Sequence, residues 1–213
     1  NYPQNDKNVV TTGGSGFGLM AIIVGIERGF ITREEGVDRF EQIVDFLEEA
    51  DRFHGVWPHW LYGETGETKP FSPQDDGGDL VETAFMAQGL LTVRQYLRDG
   101  NDREQELAEK IDSLWREIEW DWYTKDGTEN VLYWHWSPNN GWAMGHKIQG
   151  YDETLITYIL AASSPSYSIS ADVYHEGGAR GGGIVFEDHE AFGYSLPLRH
   201  NYAEEYSGPL FWA

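Results

Sequence analysis

Apolar residues recur along the chain in two alternating patterns that predict pairs of helices. Residues 15–29 are apolar on nearly every side and contain small residues, as in a helix packed on several sides and closed by a glycine. Residues 32–51 instead place apolar positions at helical spacing against a charged face. Thr32 and Glu35 form a capping box at the start of this second helix. The first predicted pair is therefore a buried helix followed by an amphipathic one.

The same order recurs further along the chain. Residues 79–98 and 151–162 are largely apolar, whereas 102–120 combines an apolar face with a charged face. Only a weak helical stretch, at 171–175, follows the third buried helix. The buried helices begin about 60 to 70 residues apart, which indicates an internal repeat of helical hairpins. Repeated hairpins of this kind predict an all-α toroid or solenoid.

Two long connections separate the predicted hairpins, at 52–78 and 121–150. Loops of this length inside a compact domain usually carry function, and both are rich in Trp, Tyr and His. Turn residues at 63–66 and 125–128 predict a short β-hairpin in each connection. Because both connections precede the acidic start of a buried helix, we expect them to project from the same end of the toroid.

The first acidic start, residues 72–83, carries four carboxylates. Asp75, Asp79 and Glu82 would lie on one side of a helix if they shared a helical frame. Acidic residues also collect at helix N-termini because of the free N–H groups and the dipole there. Simple capping is therefore the alternative interpretation of this stretch.

The second acidic start holds Asp152 and Glu153, directly before the apolar run of the third buried helix. A Glu153 carboxyl partly buried among Tyr151 and nearby Trp side chains would have its pKa raised, as a general acid requires. Glu153 is therefore the sharpest single catalytic candidate. An acid that merely suits the first turn of a helix is the alternative here too.

Aromatic rings beside carboxylates are typical of a carbohydrate site. Rings stack on the C–H faces of pyranoses, and carboxylates bind hydroxyl groups and transfer protons. Core packing is the alternative for any single Trp. The candidate substrate-binding residues are Trp57, His59, Asp76, Trp134, His135, Trp142, Tyr151 and Asp152.

Composition excludes several classes of function. The formal charge of −21 argues against nucleic acid and against an anionic membrane surface, because both would repel the chain. The absence of cysteine excludes disulfides, zinc–thiolate sites and Cys nucleophiles. The apolar run at 19–26 is too short and too interrupted by glycine to cross a bilayer, so no membrane insertion is expected. A neutral or cationic partner is easier to accommodate.

Other motifs give weaker signals. Residues 75–79 match the Asp-Asp-x-x-Asp pattern that holds magnesium and diphosphate in terpene synthases, but Gly77 and Gly78 break the helix and basic residues are scarce. The seven histidines show no spacing typical of a metal hydrolase. No metal is therefore predicted.

Taken together, these residues make the chain resemble the bacterial glucoamylase-like family that includes the endo-β-1,2-glucanases of glycoside hydrolase family 144. The matching segments are spread in order over nearly the whole chain, which makes the resemblance specific for the family and less so for the linkage cleaved. They are residues 15–19, 26–29, 32–35, 54–59, 208–211 and, above all, Asp75-Asp76-Gly77-Gly78-Asp79-Leu80-Val81-Glu82-Thr83-Ala84 and Gly150-Tyr151-Asp152-Glu153.

This resemblance implies an (α/α)6 barrel with a cleft at one end, which hydrolyses a β-1,2-glucan with inversion and needs no cofactor. The family's acidic site maps onto Asp75, Asp79, Glu82 and Glu153. We predict Glu153 as the general acid, with Asp79 or Glu82 orienting substrate or positioning water and Asp75 supporting them. The family is typically exported, so the resemblance implies a periplasmic or secreted location.

The family domain is roughly twice as long as this chain, and a closed ring needs more hairpins than the chain supplies. We therefore expect residues 1–213 to form part of a single domain, a partial barrel with one open apolar side that the remainder of the domain would cover. An inverting acid and base lie about 6.5–9.5 Å apart, and one of the two could lie beyond Ala213.

Two alternatives remain open from the sequence. A non-catalytic glucan-binding protein could use the same fold and the same aromatic residues. A polysaccharide lyase is also built on α/α toroids, but lyases usually bring Arg or Lys to neutralise uronates, and the loops of this chain are poor in both.

Overall fold

Five α-helices and several short strands account for the regular structure in a computed structural model that describes residues 7–150, 152–179, 181, 190, 191 and 193–195. The helices begin and end within a few residues of the predicted positions, except that the second amphipathic helix ends earlier and the last helix begins later. They are α1 (Thr12–Glu27), α2 (Arg33–Glu49), α3 (Leu80–Leu97), α4 (Asp102–Arg116) and α5 (Leu155–Ser163).

Three small antiparallel sheets lie in the connections. The strands β1 (Val9–Thr11), β2 (Trp60–Tyr62) and β3 (Thr68–Lys69) pair in chain order. The strand β4 (Gly78–Asp79) pairs with β5 (His135–Trp136), and β6 (Glu190–Ala191) pairs with β7 (Tyr194–Ser195). The described chain is therefore helix-rich, with short strands.

One of the two predicted hairpins is confirmed and the other is wrong. β2 and β3 flank the turn at 63–66 as expected. Residues 125–128 do form a turn, in which Lys125 and Asp126 adopt positive φ angles, but it follows a 3₁₀ turn at Trp122–Thr124. The strand of that connection, β5, pairs with β4 instead of a neighbour. A long-range pairing of this kind leaves no local sequence signal.

Contacts divide the chain into two units, 1–119 with 135–144 and 120–134 with 145–213. In the first unit, α3 packs against α1 and α4, and α2 contacts both α1 and α4. Ten residues of α3 are buried, which confirms the prediction of a buried helix there.

Glycines set the contact between α1 and α3. A Cβ atom added to Gly16 would lie 2.2 Å from the carbonyl oxygen of Phe85, and one added to Gly89 would lie 2.2 Å from that of Gly16. The two backbones therefore touch, which no larger residue at either position would allow. The small residues in these apolar helices permit this approach.

The other sides of α1 do not fit the prediction of a helix buried on several sides. Only Thr12, Gly13, Gly16 and Leu19 are buried among its residues. Phe17 is 53% exposed and Val24 is 55% exposed, although the helix is apolar all round. The expectation was wrong for the described chain, because α1 leaves part of its apolar surface exposed beside its contacts with α2 and α3.

The amphipathic helices α2 and α4 agree with the sequence prediction. Thr32 and Glu35 form the predicted capping box, and Asn101 and Glu104 form a second one at the start of α4. Charged side chains link the two helices across their exposed faces, including Arg103 with Asp38 and Glu41. Exposed ion pairs of this kind contribute little each, about 0–1 kcal/mol.

The second unit is built around α5 and a π-helix at Val173–Gly178, which replaces the weak helical stretch predicted at 171–175. Tyr158 of α5 is buried, donates to the carbonyl of Ile148 at 2.7 Å and accepts from the amide of Leu132 at 3.2 Å. Burial raises the pKa of Tyr158 above its usual value.

No helix among the described residues has the length and apolar character needed to cross a membrane.

Candidate active site

Asp79 is the residue on which the acidic stretch is centred. It precedes α3 as its N-cap, and its Oδ1 accepts hydrogen bonds from the amides of Val81 at 3.1 Å and Glu82 at 3.0 Å. Its own amide donates to the carbonyl of Trp57 at 2.9 Å. The side chain is 1% exposed. The capping role predicted as the alternative is therefore confirmed, and it fixes the carboxylate rather than excluding a function.

Glu82 lies one turn into α3 and reaches the start of a different helix. Its Oε2 accepts a hydrogen bond of 2.9 Å from the amide of Gly13, in the first turn of α1. The free N–H groups and positive dipole end of α1 favour a negative charge there. A Cβ atom on Gly13 would lie 2.5 Å from the same Oε2, so glycine is needed for this contact.

His59 contacts the opposite oxygen of Asp79, with Nδ1 lying 3.1 Å from Oδ2. Burial opposes its protonation, but the hydrogen bond to Asp79 and the charges of Asp79, Glu82 and Asp75 together raise the pKa of His59 above its usual value. The His59 ring also stacks on Phe71 at a centroid distance of 4.2 Å. Phe71 is 48% exposed, so an aromatic surface borders the acidic cluster.

Asp75 lies in the same cluster, although it does not share the helix of Asp79 and Glu82. It closes a tight turn by pairing with Ser72, before β4 begins. The predicted common helical frame is wrong for Asp75, because Gly78 and Asp79 form strand β4 and the helix begins only at Leu80. The turn nevertheless buries Asp75 to 8% exposure and places its Oδ1 3.1 Å from Nε2 of His135.

Asp76 faces away from this cluster and staples two loops. It accepts hydrogen bonds from the side-chain amides of Asn139 at 2.8 Å and Asn140 at 3.1 Å. Burial works against ionisation, but hydrogen bonds from Ser137, Asn139 and Asn140 lower the pKa of Asp76. Asp76 therefore shapes the loop beside the site, and its predicted role in binding substrate stays a prediction.

Trp57 is a core residue and not a binding surface. It is 0% exposed, and its Nε1 donates to the carbonyl of Leu47 at 3.2 Å. Its amide and carbonyl both bond to the hydroxyl of Thr83 in α3, at 2.9 and 3.1 Å. The predicted substrate contact is contradicted by this burial, and the packing alternative holds for Trp57.

The other aromatic candidates of the first unit keep part of their surface. Trp142 is half-buried, with its ring centroid 6.5 Å from that of Trp136. Trp136 packs edge-on to His54, whose φ angle is +55°. Sequence analysis did not single out Trp136, His54 or Phe71 as site residues, because an aromatic residue in a loop gives no signal of what it will face.

His135 is placed beneath the acidic cluster and not on its surface. The pairing of β4 with β5 sets His135 opposite Asp79, and the His135 side chain is 1% exposed. Direct contact with a substrate, predicted from the sequence, is contradicted by this burial.

The second acidic start, in the other unit, is arranged differently. Asp152 is buried, and its Oδ1 accepts from the amide of Thr154 at 2.9 Å and from its hydroxyl at 2.5 Å. Glu153 is exposed and precedes α5, which begins at Leu155. The predicted partial burial of Glu153 is therefore wrong in the described chain, and Asp152 is the buried acid. Tyr151 lies outside the described residues.

Trp134, in the same unit as Glu153, stacks on His146 at a centroid distance of 4.8 Å. The backbones of the two residues are also joined, since the Trp134 amide donates to the carbonyl of His146 at 2.9 Å. Trp134 is half-buried, so part of its ring remains available to a ligand.

One group among the described residues has the donor set of a cation site. His59, Asp75 and Asp79 each offer a ligand atom, and these atoms lie within 4.8 Å of one another. A cation there would share the carboxylates with the contacts already described. The same oxygen-rich, aromatic-bordered cluster suits the hydroxyl groups of a sugar.

Residues 145–213 match the family model named "Glycoamylase". The chain is 54% identical over 174 residues to an exo β-1,2-glucooligosaccharide sophorohydrolase (non-reducing end) of Parabacteroides distasonis. The aligned segment covers 81% of this chain and 24% of that protein. These matches agree with the family resemblance drawn from the sequence motifs.

Solved structures give the same result. The chain superimposes on an endo-β-1,2-glucanase of Chitinophaga pinensis, in complex with sophorotriose and glucose, with a TM-score of 0.92 and 61% identity, over 100% of this chain and 50% of that one. A β-1,2-glucanase of Parabacteroides distasonis gives a TM-score of 0.82 and 46% identity, over 89% of this chain and 30% of that one. The predicted resemblance is confirmed, and the chain spans about half the length or less of the relatives it matches.

Proposed function

We propose that this chain supplies the acid-bearing part of a glycoside hydrolase that cleaves a β-1,2-glucan. The observation that carries the proposal is the cluster of Asp75, Asp79 and Glu82, in which the start of α1 binds Glu82, His59 binds Asp79 and His135 lies close to Asp75, beside exposed aromatic surface. The relatives at high identity are named for β-1,2-glucan hydrolysis, which supports this substrate class.

We further propose that the helices form part of an (α/α)6 barrel. The exposed apolar side of α1, with Phe17 and Val24, is the side that further helices of such a barrel would cover. The fact that the chain spans half of the matching glucanase supports this proposal, since a single half would leave one helix side without partners.

In the mechanism, the clustered carboxylates serve as acceptors. Asp79 already accepts hydrogen bonds from two backbone N–H groups, and Glu82 accepts one. Carboxylate oxygens held in this way can also accept hydrogen bonds from sugar hydroxyls and orient or deprotonate a water. Asp79 or Glu82 therefore positions the sugar and water, and Asp75 supports them.

The proton donor must then be a different group. Glu153 is the proposed general acid, which protonates the glycosidic oxygen as the bond to the anomeric carbon breaks, while a water attacks from the opposite face of the ring. This order of events inverts the configuration at the anomeric carbon.

Substrate contacts are proposed for the aromatic residues that keep exposed surface. Trp134 and Trp142 are half-buried and offer ring faces to pyranose C–H groups, as does Phe71 beside His59.

We also propose that the protein is periplasmic or secreted, which fractionation of expressing cells would test.

A substrate panel tests the proposed function. We expect hydrolysis of β-1,2-glucan, with much less of β-1,3-, β-1,4- and α-linked glucans, and with the anomer opposite to that of the substrate formed first, as NMR of the fresh products would show. Retained configuration would contradict the inverting mechanism. Calorimetric binding of β-1,2-gluco-oligosaccharides without release of reducing ends would instead favour a glucan-binding protein.

A further inference from the structure

His135 is a buried histidine whose position the mechanism so far leaves unexplained. Its side chain is 1% exposed, and Nε2 lies 3.1 Å from Oδ1 of Asp75. Among the described residues, neither ring nitrogen has a partner in hydrogen-bond alignment. Buried polar groups are almost always hydrogen-bonded, so an imidazole that is close to a carboxylate but misaligned with it needs a physical reason.

The backbone places His135 there through a close approach of two loops. Strand β5 pairs with β4 so that His135 lies opposite Asp79, and Trp136 lies opposite Gly78. A Cβ atom on Gly77 would lie 2.3 Å from the carbonyl oxygen of Trp136. Glycine at this position therefore lets β5 reach the acidic stretch and bring the imidazole under Asp75.

The carboxylates of the acidic cluster lie close together, and Asp75 needs a hydrogen-bond donor of its own. Ligand atoms of Asp75 and Asp79 lie within 4.8 Å of each other, and neighbouring carboxylates repel unless each has its own donor. Asp79 is served by backbone amides and by His59. His135 is the imidazole that lies in the equivalent place for Asp75.

We propose that His135 is a positioning residue that acts through Asp75. Its Nε2–H aligns with Oδ1 of Asp75 when a sugar hydroxyl binds the other side of the carboxylate, and it holds Asp75 as an acceptor for that hydroxyl. The inference rests on the proposed function of the same site. It assigns to His135 a role that requires no contact with the substrate.

Calorimetry with a β-1,2-gluco-oligosaccharide such as sophorotriose tests this role. His135→Leu removes the donor at similar volume, and we expect binding about 10-fold or more weaker, the loss that follows from one hydrogen bond to a charged group. His135→Gln keeps an N–H in a similar position and should recover most of the affinity. A purely structural role would not distinguish the two variants according to the donor they carry.

Ile111→Val is the matched control, because Ile111 is fully buried in α4 and outside the site. It should lower stability while leaving sugar affinity unchanged. Equal affinity of wild type and His135→Leu would overturn the inference. If His135→Leu does not fold, failure of His135→Gln to bind better than Asp75→Ala, a variant without the acceptor, would overturn it.

Nitrogen-15 NMR of the histidine rings provides a test that keeps His135 intact. We expect His135 to carry its proton on Nε2, and the Nε2 signal of the wild type to shift when oligosaccharide is added. In Asp75→Asn, the same addition should leave this signal unshifted. A His135 signal that ignores both changes would overturn the inference while leaving the proposed function standing. Absence of any glucan binding by the wild type would overturn the proposed function and this role with it.

Discussion

The starts of α3 and α5 carry similar residues, yet the structure uses them differently. Glu82-Thr83 and Glu153-Thr154 both come early in an apolar helix in the sequence. Glu82 lies inside α3 and is bonded to the amide of Gly13, whereas Glu153 precedes α5 and is exposed. The buried acid differs as well, since Asp79 accepts two backbone amides and a histidine while Asp152 bonds within its own turn to Thr154.

This difference indicates what separates a carboxylate that accepts from one that can donate. At α3, groups from two helices and two loops converge on the acids and occupy their oxygens with hydrogen bonds or close contacts. At α5, Asp152 accepts hydrogen bonds from Thr154 two residues on, and Glu153 is exposed. Similar sequence at a helix start therefore leads to different chemistry when the surrounding donors differ.

The largest expected effect separates the two glutamates by activity. Glu153→Gln should lower the rate of β-1,2-glucan hydrolysis by about 10² to 10⁴-fold, because an amide cannot donate the proton to the leaving group. Glu82→Gln keeps an oxygen that can accept from Gly13 and should have a smaller effect, mainly on substrate affinity. Rates from reducing-end release, with circular dichroism as a check on folding, would decide. Wild-type turnover in Glu153→Gln would contradict the assignment of Glu153 as the proton donor.

The second prediction concerns the close backbone contact between α1 and α3 at Gly16. Gly16→Ala should destabilise the protein by about 3 kcal/mol, because the new methyl group would meet the backbone of Phe85 and the helices would have to separate. Gly18→Ala is the matched control, since nothing lies within 4 Å of a Cβ atom there, and alanine should stabilise the helix by up to about 1 kcal/mol. Denaturant unfolding measures both, and equal stability of the two variants would contradict the close contact.

The third prediction compares the two buried aspartates. Asp79→Ala should cost about 1–2 kcal/mol of unfolding free energy, because two amides of α3 and His59 lose their acceptor. Asp152→Ala removes the two hydrogen bonds from Thr154 and should cost about 0.5–1 kcal/mol. Asp79→Asn should lie between wild type and Asp79→Ala, since asparagine also caps helices. A larger loss at Asp152 than at Asp79 would reverse the comparison.

The smallest expected effect is the pH dependence that His59 gives to the α3 site. Because its folded-state pKa is raised above the ordinary 6.5, its protonated form stabilises the fold fully below that pH. The contribution, about 1 kcal/mol, is lost as the pH rises through the raised value. Unfolding free energies of wild type and His59→Gln, measured from pH 5 to 9, should converge at the alkaline end. Parallel curves would show that His59 does not titrate as proposed.

The sequence by itself determined the helices and the candidate acids. Periodic apolar positions and capping residues such as Thr32 and Asn101 act within a few residues of chain, so the helix bounds could be predicted closely. The motif at 75–84 gave the family and the acidic residues, and the matches with β-1,2-glucanases confirm that resemblance. These features depend on local chemistry or on recognisable strings of residues.

Only the tertiary structure decided what each side chain faces. Trp57 lies in the core, His135 lies beneath Asp75 and Glu82 meets the start of α1, and each of these results from contacts between residues more than 20 positions apart or from the pairing of β4 with β5. The sequence around a Trp, His or Glu is the same whether that residue lines a cleft or lies in the core, so it does not predict what the side chain contacts. The acid-bearing start of α3 became a site because distant donors converge on it, and that convergence is a property of packing.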